Sequence, residues 1–326
     1  MRALPTASLA AIALLSAAVP AGAADNPWLE RRPLNIAHQG GEQELPSNTL
    51  YALKEAVKAG ADMLEIDVGV TKDDQVIVMH DTTVDRVTNG RGTVSSLTLR
   101  RIRRLDGAYW FSGGSRPYAR NKRVSAYRFR GIATGKRRPP KGYKATDFRV
   151  PTLREVLRAF PGTPINIEIK GRTPKEAEDE YIRNAEVLAR LLRGTRRRDL
   201  IVVSFRQKAV DRFHELAPRI PVAPGIDGAA AFLLGGGSPG DGVVALQMPL
   251  TFRLGDQLLD VTTPENVARA HQAGYAWHVW LSNDGEWPAT WRRLLDWCID
   301  GVMTARPRAF ERVLRGHRPP ASCASR

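Results

Sequence analysis

The fold of this chain is decided by the stretch MLEIDVGVTKDDQVIVMHD, residues 63–81. Glu65 and Asp67 are separated by one residue within an apolar run, so both side chains leave the same face of a strand. Two anions side by side on a buried face require a cation close to them. Residues 72–75 form a polar turn that is too short for a helical crossover, so the run after it is predicted to return as an antiparallel hairpin.

Short segments rich in Ile and Val are the candidate strands. They are residues 34–37, 63–68, 76–79, 165–169, 200–204, 222–224, 243–247, 275–279 and 299–303. The hairpin accounts for one of these nine, which leaves eight parallel strands. Helical periodicity lies between most of them, over residues 48–59, 153–160, 174–192, 208–216, 264–273 and 287–297.

This alternation predicts an α/β fold, the (β/α)8 or TIM barrel. Ser47, Thr152, Thr173 and Thr263 precede periodic runs and are the candidate helix caps. The alternative is an open doubly wound sheet. It is disfavoured because no glycine-rich phosphate turn follows the first strand.

The first 24 residues resemble a secretory signal peptide. Arg2 precedes an apolar run, and small residues ending at Ala24 form a cleavage pattern. The run is too short to span a bilayer, so no transmembrane segment is expected. A buried N-terminal helix is the alternative. The cleavage pattern favours the signal peptide over this alternative, so we expect a secreted or periplasmic protein. Residues 25–326 are then expected to form one domain.

Residues 106–149 break the alternation between strands and helices. They contain twelve Lys or Arg against two Asp, together with many aromatic residues, in a chain whose formal net charge is +15. The segment is predicted to be an insertion between the second and third barrel strands, folded over the barrel mouth. Its charge favours contact with an anionic membrane or envelope polymer. Nucleic acid is not expected, since no recognition motif is present.

The two cysteines lie close to the C-terminus. Cys298 and Cys323 could form one disulfide in an oxidising compartment, or they could remain unpaired thiols. Residues 315–326 are predicted to be a solvated tail.

Further polar residues stand at the ends of other predicted strands, where a barrel enzyme has its site. Glu168 and Lys170 repeat the same-face spacing of Glu65 and Asp67. Three carboxylates suit a hard divalent cation, Ca²⁺ or Mg²⁺, better than Zn²⁺. His38 and His80 can accept and donate protons near neutral pH. Together these residue types indicate metal-assisted cleavage of a phosphodiester.

The same blocks resemble the glycerophosphodiester phosphodiesterase family, from about residue 35 to residue 307. The matching blocks are His38-Gln39-Gly40, Pro46-Ser47-Asn48-Thr49, Glu65-Ile66-Asp67, Thr71-Lys72-Asp73, His80-Asp81, Glu168-Ile169-Lys170, Val279-Trp280 and Asp300 to Thr304. The resemblance implies a barrel enzyme that hydrolyses glycerophosphodiesters to glycerol phosphate and an alcohol. It also implies a divalent metal on Glu65, Asp67 and Glu168, with His38 and His80 as acid and base.

Two positions depart from the family pattern. Gln39 stands where the family has an arginine that holds a phosphate oxygen, and an amide offers a hydrogen bond without charge. Ser47 replaces a glutamate and is expected to cap the following helix. Lys170 is expected to neutralise the phosphate, Trp280 to line the glycerol or headgroup pocket, and Arg206 is a further candidate for phosphate contact.

Two alternative functions stay open from the sequence. One is a lysophospholipase D-like activity on lysophospholipids. The other is a non-catalytic envelope protein that binds a polyanion through residues 106–149. The sequence also leaves open whether the substrate's own hydroxyl or a water molecule attacks phosphorus.

Overall fold

The computed structural model describes residues 26–29, 32–172, 179–281 and 285–325. The predicted signal peptide, residues 1–24, and the predicted helix start at Thr173 lie outside the described residues. Within those ranges, every helix is too short or too polar to cross a bilayer.

The strands, in chain order, are β1 Leu34–Ala37, β2 Met63–Val70, β3 Val76–Val78, β4 Ile165–Ile169, β5 Leu200–Val203, β6 Ala245–Met248, β7 Thr251–Leu254, β8 Gln257–Asp260, β9 Ala276–Trp280 and β10 Gly301–Thr304. The helices are α1 Leu50–Lys58, α2 Leu99–Ile102, α3 Leu153–Ala159, α4 Glu180–Leu192, α5 Gln207–Leu216, α6 Ile226–Gly235, α7 Pro264–Gln272, α8 Pro288–Asp296 and α9 Pro307–Gly316.

Seven of these strands form a parallel curled sheet in the order β5-β4-β2-β1-β10-β9-β6. The predicted eighth strand, residues 222–224, is reduced to the single residue Val222. It forms parallel bridges to Val202 of β5 and to Val243 just before β6. Val222 therefore occupies the gap between the two outer strands, and the prediction of a full strand there was wrong.

Side chains also connect strands across the interior of the curled sheet. Asn166 of β4 and Gln247 of β6 exchange hydrogen bonds of 2.7 and 3.3 Å. The main apolar core lies outside the sheet, where buried strand residues such as Ile66 pack against helix residues such as Leu188 and Phe213. All seven strands are parallel, so their carboxyl ends meet at one edge of the sheet, which we call the catalytic edge.

The predicted hairpin is confirmed. β3 pairs antiparallel with β2, and Val68 lies opposite Val78. The ladder continues past β3, because the Met79 N–H donates to the Asp67 carbonyl at 2.9 Å. This register returns the chain to the level of Asp67 and places His80 beside it.

Residues 106–149 lie between β3 and α3 and form a second apolar core with α1. Phe129 and Phe148 pack against Tyr51 with ring centroids 5.2 and 4.5 Å apart. Arg130 lies over the rings of Tyr109, Trp110 and Tyr127. That this segment is an insertion covering the barrel mouth stays a prediction.

Two local predictions were wrong. Thr49, not Ser47, caps α1, because the Thr49 side chain accepts from the Ala52 N–H. Ser47 instead hydrogen bonds to the Tyr118 hydroxyl at 2.7 Å. Residues 315–326 are not simply a solvated tail, because α9 extends to Gly316 and a Cys298–Cys323 disulfide holds the end of the chain.

Candidate active site

The loop after β1 brings the backbone of Gln39 against Glu65. Residues His38–Gly40 form one 3-10 turn, and Gln39 has a left-handed φ of 52°. In this conformation the Gln39 N–H donates to Glu65 Oε2 at 2.9 Å, and the Gln39 carbonyl accepts from the Asn48 N–H. Position 39 therefore contacts the Glu65 carboxylate through its backbone N–H, a contact that does not depend on the side chain present there.

Three buried carboxylates converge at the catalytic edge. Glu65 and Asp67 share one face of β2, and the parallel register pairs Asp67 with Glu168 of β4. One oxygen from each of the three lies within 4.8 Å of the others. The sequence spacing predicted this convergence, and the structure brings the three side chains together.

Burial and mutual repulsion shape the titration of this cluster. Burial, followed by the charge of Asp67, raises the pKa of Glu65 to about 8. Burial also raises the pKa of Glu168. Burial would also raise the pKa of Asp67. The positive charges of Lys170, His80 and His38 outweigh burial and hold the pKa of Asp67 below its ordinary value. A cluster of this kind favours a bound cation over full ionisation without one.

Lys170 contributes a cation at the edge of the cluster. Its Nζ lies 2.6 Å from Glu168 Oε1 and 3.3 Å from Asp67 Oδ1. Burial lowers the pKa of Lys170, but the carboxylates around it raise that pKa above its ordinary value. Lys170 therefore remains protonated near neutral pH and can neutralise an anion placed at the cluster.

His38 lies between two carboxylates. Its Nδ1 is 2.8 Å from Glu42 Oε1, and its Nε2 is 3.9 Å from Glu65 Oε2. Burial lowers the pKa of His38, but Glu42 and Glu65 raise it more, so the pKa lies well above the ordinary value. His38 is therefore suited to hold a proton beside the cluster.

His80 is oriented by a carboxylate and an arginine. Its Nδ1 lies 2.9 Å from Asp81 Oδ1, and Arg86 binds both oxygens of Asp81 at 2.6 and 2.9 Å. Burial opposes ionisation of Asp81, but the hydrogen bonds from His80 and Arg86 hold the Asp81 pKa well below its usual range. This arrangement engages Nδ1 and leaves Nε2 of His80 for a reacting group.

The two remaining predicted site residues occupy the rim. Trp280, at the end of β9, packs against the Phe205 ring at 5.9 Å, and Lys170 Nζ lies 5.5 Å from the centre of that ring. The Arg206 guanidinium lies over the Tyr181 ring at 5.6 Å. Trp280 is thus linked to the cluster through Phe205, and the guanidinium of Arg206 contacts Tyr181.

Sequence reasoning did not assign a role to three further residues near the site. Asn48 donates to Asp67 Oδ2 at 2.8 Å. Glu42 binds His38, as described above. Glu286 accepts from the Thr304 hydroxyl at 2.6 Å and from the Ala305 N–H at 2.7 Å. Only Asn48 carried a signal, because it lies in the matched Pro46 to Thr49 block.

A comparison with protein-family models matches residues 38–309 to the glycerophosphoryl diester phosphodiesterase family. The chain belongs to this family. The matched range includes all three carboxylates, both histidines and Lys170. The resemblance inferred from the short motifs is therefore confirmed at the level of the family, and the chain is an enzyme of the glycerophosphodiester phosphodiesterase class.

Curated relatives support the same assignment, and solved structures share the fold. A glycerophosphodiester phosphodiesterase of Bacillus subtilis (strain 168) is 28% identical over 314 residues, which cover 95% of this chain and 96% of that protein. A human lysophospholipase D is 38% identical over 136 residues, covering 42% of this chain and 36% of that protein. An Oleispira antarctica phosphodiesterase, solved with the product sn-glycerol-3-phosphate, shares the fold with a TM-score of 0.62 at 20% identity, covering 88% of this chain and 99% of that one.

Enzymes of this family depend on a divalent metal, and the residues present fit one. The donor set is three carboxylates, which hard cations prefer. Asp67 Oδ1 is buried and makes no hydrogen bond within the described part of the chain, although the Lys170 ammonium lies 3.3 Å from it as an ion-pair partner. An oxygen in that condition is suited to a metal–ligand bond. The non-catalytic alternative is set aside by the family assignment.

Proposed function

We propose that the protein hydrolyses glycerophosphodiesters to glycerol phosphate and an alcohol, with a divalent cation held by Glu65, Asp67 and Glu168. The observation that carries the proposal is the convergence of these carboxylates within 4.8 Å of one another. Mg²⁺ and Ca²⁺ both suit such oxygen donors, and the bound cation would supply Lewis-acid stabilisation of the phosphoryl oxygens.

The protein residues divide the remaining tasks between them. Lys170 neutralises the phosphodiester, and the amide of Gln39 adds an uncharged hydrogen bond where the family has an arginine. His38, with its raised pKa, holds the proton given to the leaving oxygen. His80, held at Nδ1 by Asp81, accepts the proton of the attacking hydroxyl at Nε2. Trp280 and Phe205 pack beside the alcohol or headgroup of the substrate.

The localisation is part of this proposal. The apolar N-terminal segment with its small-residue cleavage pattern supports export. The disulfide between Cys298 and Cys323 is compatible with an oxidising compartment. Secretion or periplasmic residence would be tested by locating the processed chain in cell fractions and sequencing its N-terminus.

A substrate panel of deacylated phospholipids tests the activity. Purified protein should release glycerol phosphate, lose this activity after chelation and recover it when Ca²⁺ or Mg²⁺ is added back. His38→Ala and His80→Ala should each lower kcat by about 10²-fold or more, the usual contribution of an acid or base. His214→Gln, in the last turn of α5 at the end opposite Phe205 and Arg206, is the matched control. Full activity in either site variant would contradict the proposal.

A lysophospholipase D-like activity is the second candidate. The observation that favours it is the aromatic pair Phe205 and Trp280 beside Lys170, which gives the cluster one apolar border. Comparing the rates on glycerophosphocholine and on lysophosphatidylcholine separates the two candidates. Contact of residues 106–149 with an anionic envelope polymer stays a prediction.

A further inference from the structure

An exposed β-hairpin stands at the catalytic edge. β7 and β8 follow the carboxyl end of β6 directly and form a separate two-stranded sheet, paired with no other strand of the described chain. The base of the hairpin is held by hydrogen bonds to the Leu250 carbonyl. A two-stranded hairpin is only marginally stable without packing on one face.

This hairpin exposes large apolar side chains. The exposed fractions are 37% for Phe252, 53% for Leu254 and 60% for Leu258. Phe252 lies opposite Leu259, and Leu254 opposite Gln257, so one face carries three apolar side chains and one amide. The other face is mostly polar, with Leu258 beside Arg253, Thr251 and Asp260. The face of Phe252, Leu254 and Leu259 therefore lacks the polar composition expected of a hairpin face that projects into water.

Other exposed apolar side chains lie on neighbouring loops of the same edge. Phe205, 44% exposed, follows β5, and the Ile226 N–H that begins α6 donates to the Phe205 carbonyl. Trp287, 58% exposed, precedes α8. We call this set the apolar rim: Phe205, Ile226, Phe252, Leu254, Leu258 and Trp287.

One rim residue, Phe205, lies beside the carboxylate cluster. The Phe205 ring contacts Trp280 on one side and lies 5.5 Å from Lys170 Nζ on the other. Lys170 in turn contacts Glu168 and Asp67. A molecule that covers the rim with apolar chains and presents a phosphodiester would therefore meet Lys170 at the boundary between them.

The positive net charge of the chain favours a partner that carries negative charge. The formal net charge is +15, which attracts the whole protein to an anionic surface. The hairpin carries Arg253 against Asp256 and Asp260, so its own contribution to docking is its apolar side chains. Five arginines of residues 106–149 instead donate to backbone carbonyls within the protein: Arg120, Arg128, Arg130, Arg137 and Arg149. These arginines therefore hold the segment together and attach it to Glu44 and Asp85 outside it.

We propose that the apolar rim docks on an anionic phospholipid surface, so that the carboxylate cluster faces lipid headgroups. The inference rests on the proposed function, because it assigns that site a lipid-borne phosphodiester such as a lysophospholipid. The hairpin enters the interface with Phe252 and Leu254, and Phe205 connects the interface to Lys170.

Vesicle binding tests the docking surface directly. The wild-type protein should sediment with vesicles of phosphatidylglycerol and phosphatidylcholine, and more weakly with phosphatidylcholine alone. Phe252→Ser combined with Leu254→Ser should lower the partition coefficient about tenfold or more, since two side chains lose apolar contact. Leu234→Ser is the matched control, because Leu234 is 71% exposed near the end of α6, away from the catalytic edge.

Activity measurements separate this inference from the proposed function. The hairpin variant should hydrolyse soluble glycerophosphocholine at the wild-type rate and lose about tenfold on lysophosphatidylcholine held in vesicles. Unchanged vesicle binding in the hairpin variant would overturn the inference, and so would an equal loss in Leu234→Ser. A wild-type dimer that the hairpin variant converts to monomer would also overturn it, because the rim would then contact a second copy. Absence of glycerophosphocholine hydrolysis in the wild type would refute the proposed function. Vesicle binding does not require hydrolysis, so that measurement would still decide whether the rim docks on lipid.

Discussion

Replacing Glu286 with glutamine should make the protein more stable at alkaline pH. The Glu286 side chain is only 2% exposed. Burial, opposed in part by hydrogen bonds from Thr304 and Ala305, raises the pKa of Glu286 from 4.5 to about 7. A glutamine keeps this geometry, because its oxygen can accept from the Ala305 N–H and its amide can donate to the Thr304 hydroxyl.

The sign and size of the effect follow from proton linkage. In the unfolded chain the Glu286 carboxyl ionises near 4.5, whereas in the folded protein it ionises near 7. Between pH 4.5 and pH 7 the Glu286 carboxyl is protonated in the folded protein and ionised in the unfolded chain. Its contribution to stability is therefore complete below pH 4.5 and is lost as pH rises through 7. The interval corresponds to about 3 kcal/mol, at 1.36 kcal/mol for each pKa unit.

Urea unfolding at a series of pH values measures this effect. The difference in unfolding free energy between Glu286→Gln and wild type should grow in favour of the variant by about 3 kcal/mol from pH 4.5 to pH 8. Titrations common to both proteins cancel in that difference. Glu265→Gln, at an exposed position in the first turn of α7, should not reproduce the trend. Parallel stability curves for Glu286→Gln and wild type would refute the reasoning.

Two further predictions concern His80 and the disulfide. Asp81→Asn should lower kcat by about 10²-fold with little change in KM, because an amide does not fix the His80 tautomer as a carboxylate does; steady-state kinetics checks this, with the exposed Asp74→Asn as control. Replacing both Cys298 and Cys323 with serine should lower the unfolding free energy by about 3 kcal/mol, because the bridge closes a separation of 25 residues. A loss below about 1 kcal/mol in urea unfolding would contradict that view of the bridge.

The sequence predicted the elements that carry the site because their patterns were local. Residues 34–37 and 165–169 form strands with the predicted bounds. The same-face spacing of Glu65 and Asp67 follows from strand geometry alone, and the polar turn at residues 72–75 is sufficient to predict the hairpin that returns to His80. The convergence with Glu168 then follows from parallel pairing of β2 with β4.

Features that depend on tertiary contacts were not predictable in the same way. The strand expected at residues 222–224 shrinks to Val222, because only this residue bridges the strands on both sides. Serine is a favourable residue type for a helix cap, but the Ser47 hydroxyl hydrogen bonds to the hydroxyl of Tyr118, 71 positions away in the sequence. Glu286 lies far along the chain from His38, and no spacing in the sequence connects them. The β7–β8 hairpin was missed because each strand has only four residues, and the adjacent Leu258 and Leu259 break the alternation of apolar and polar side chains.

The central claim is that Glu65, Asp67 and Glu168 together hold the catalytic cation. Calorimetric titration of chelator-treated protein with Ca²⁺ and with Mg²⁺ tests it most directly, with Glu168→Gln compared to wild type and to the exposed Glu265→Gln. The account predicts one site per chain in wild type and in the Glu265 variant, with affinity reduced at least about tenfold in Glu168→Gln because one anionic ligand is lost. Equal affinity in Glu168→Gln and wild type, or full hydrolytic activity without any bound cation, would contradict it.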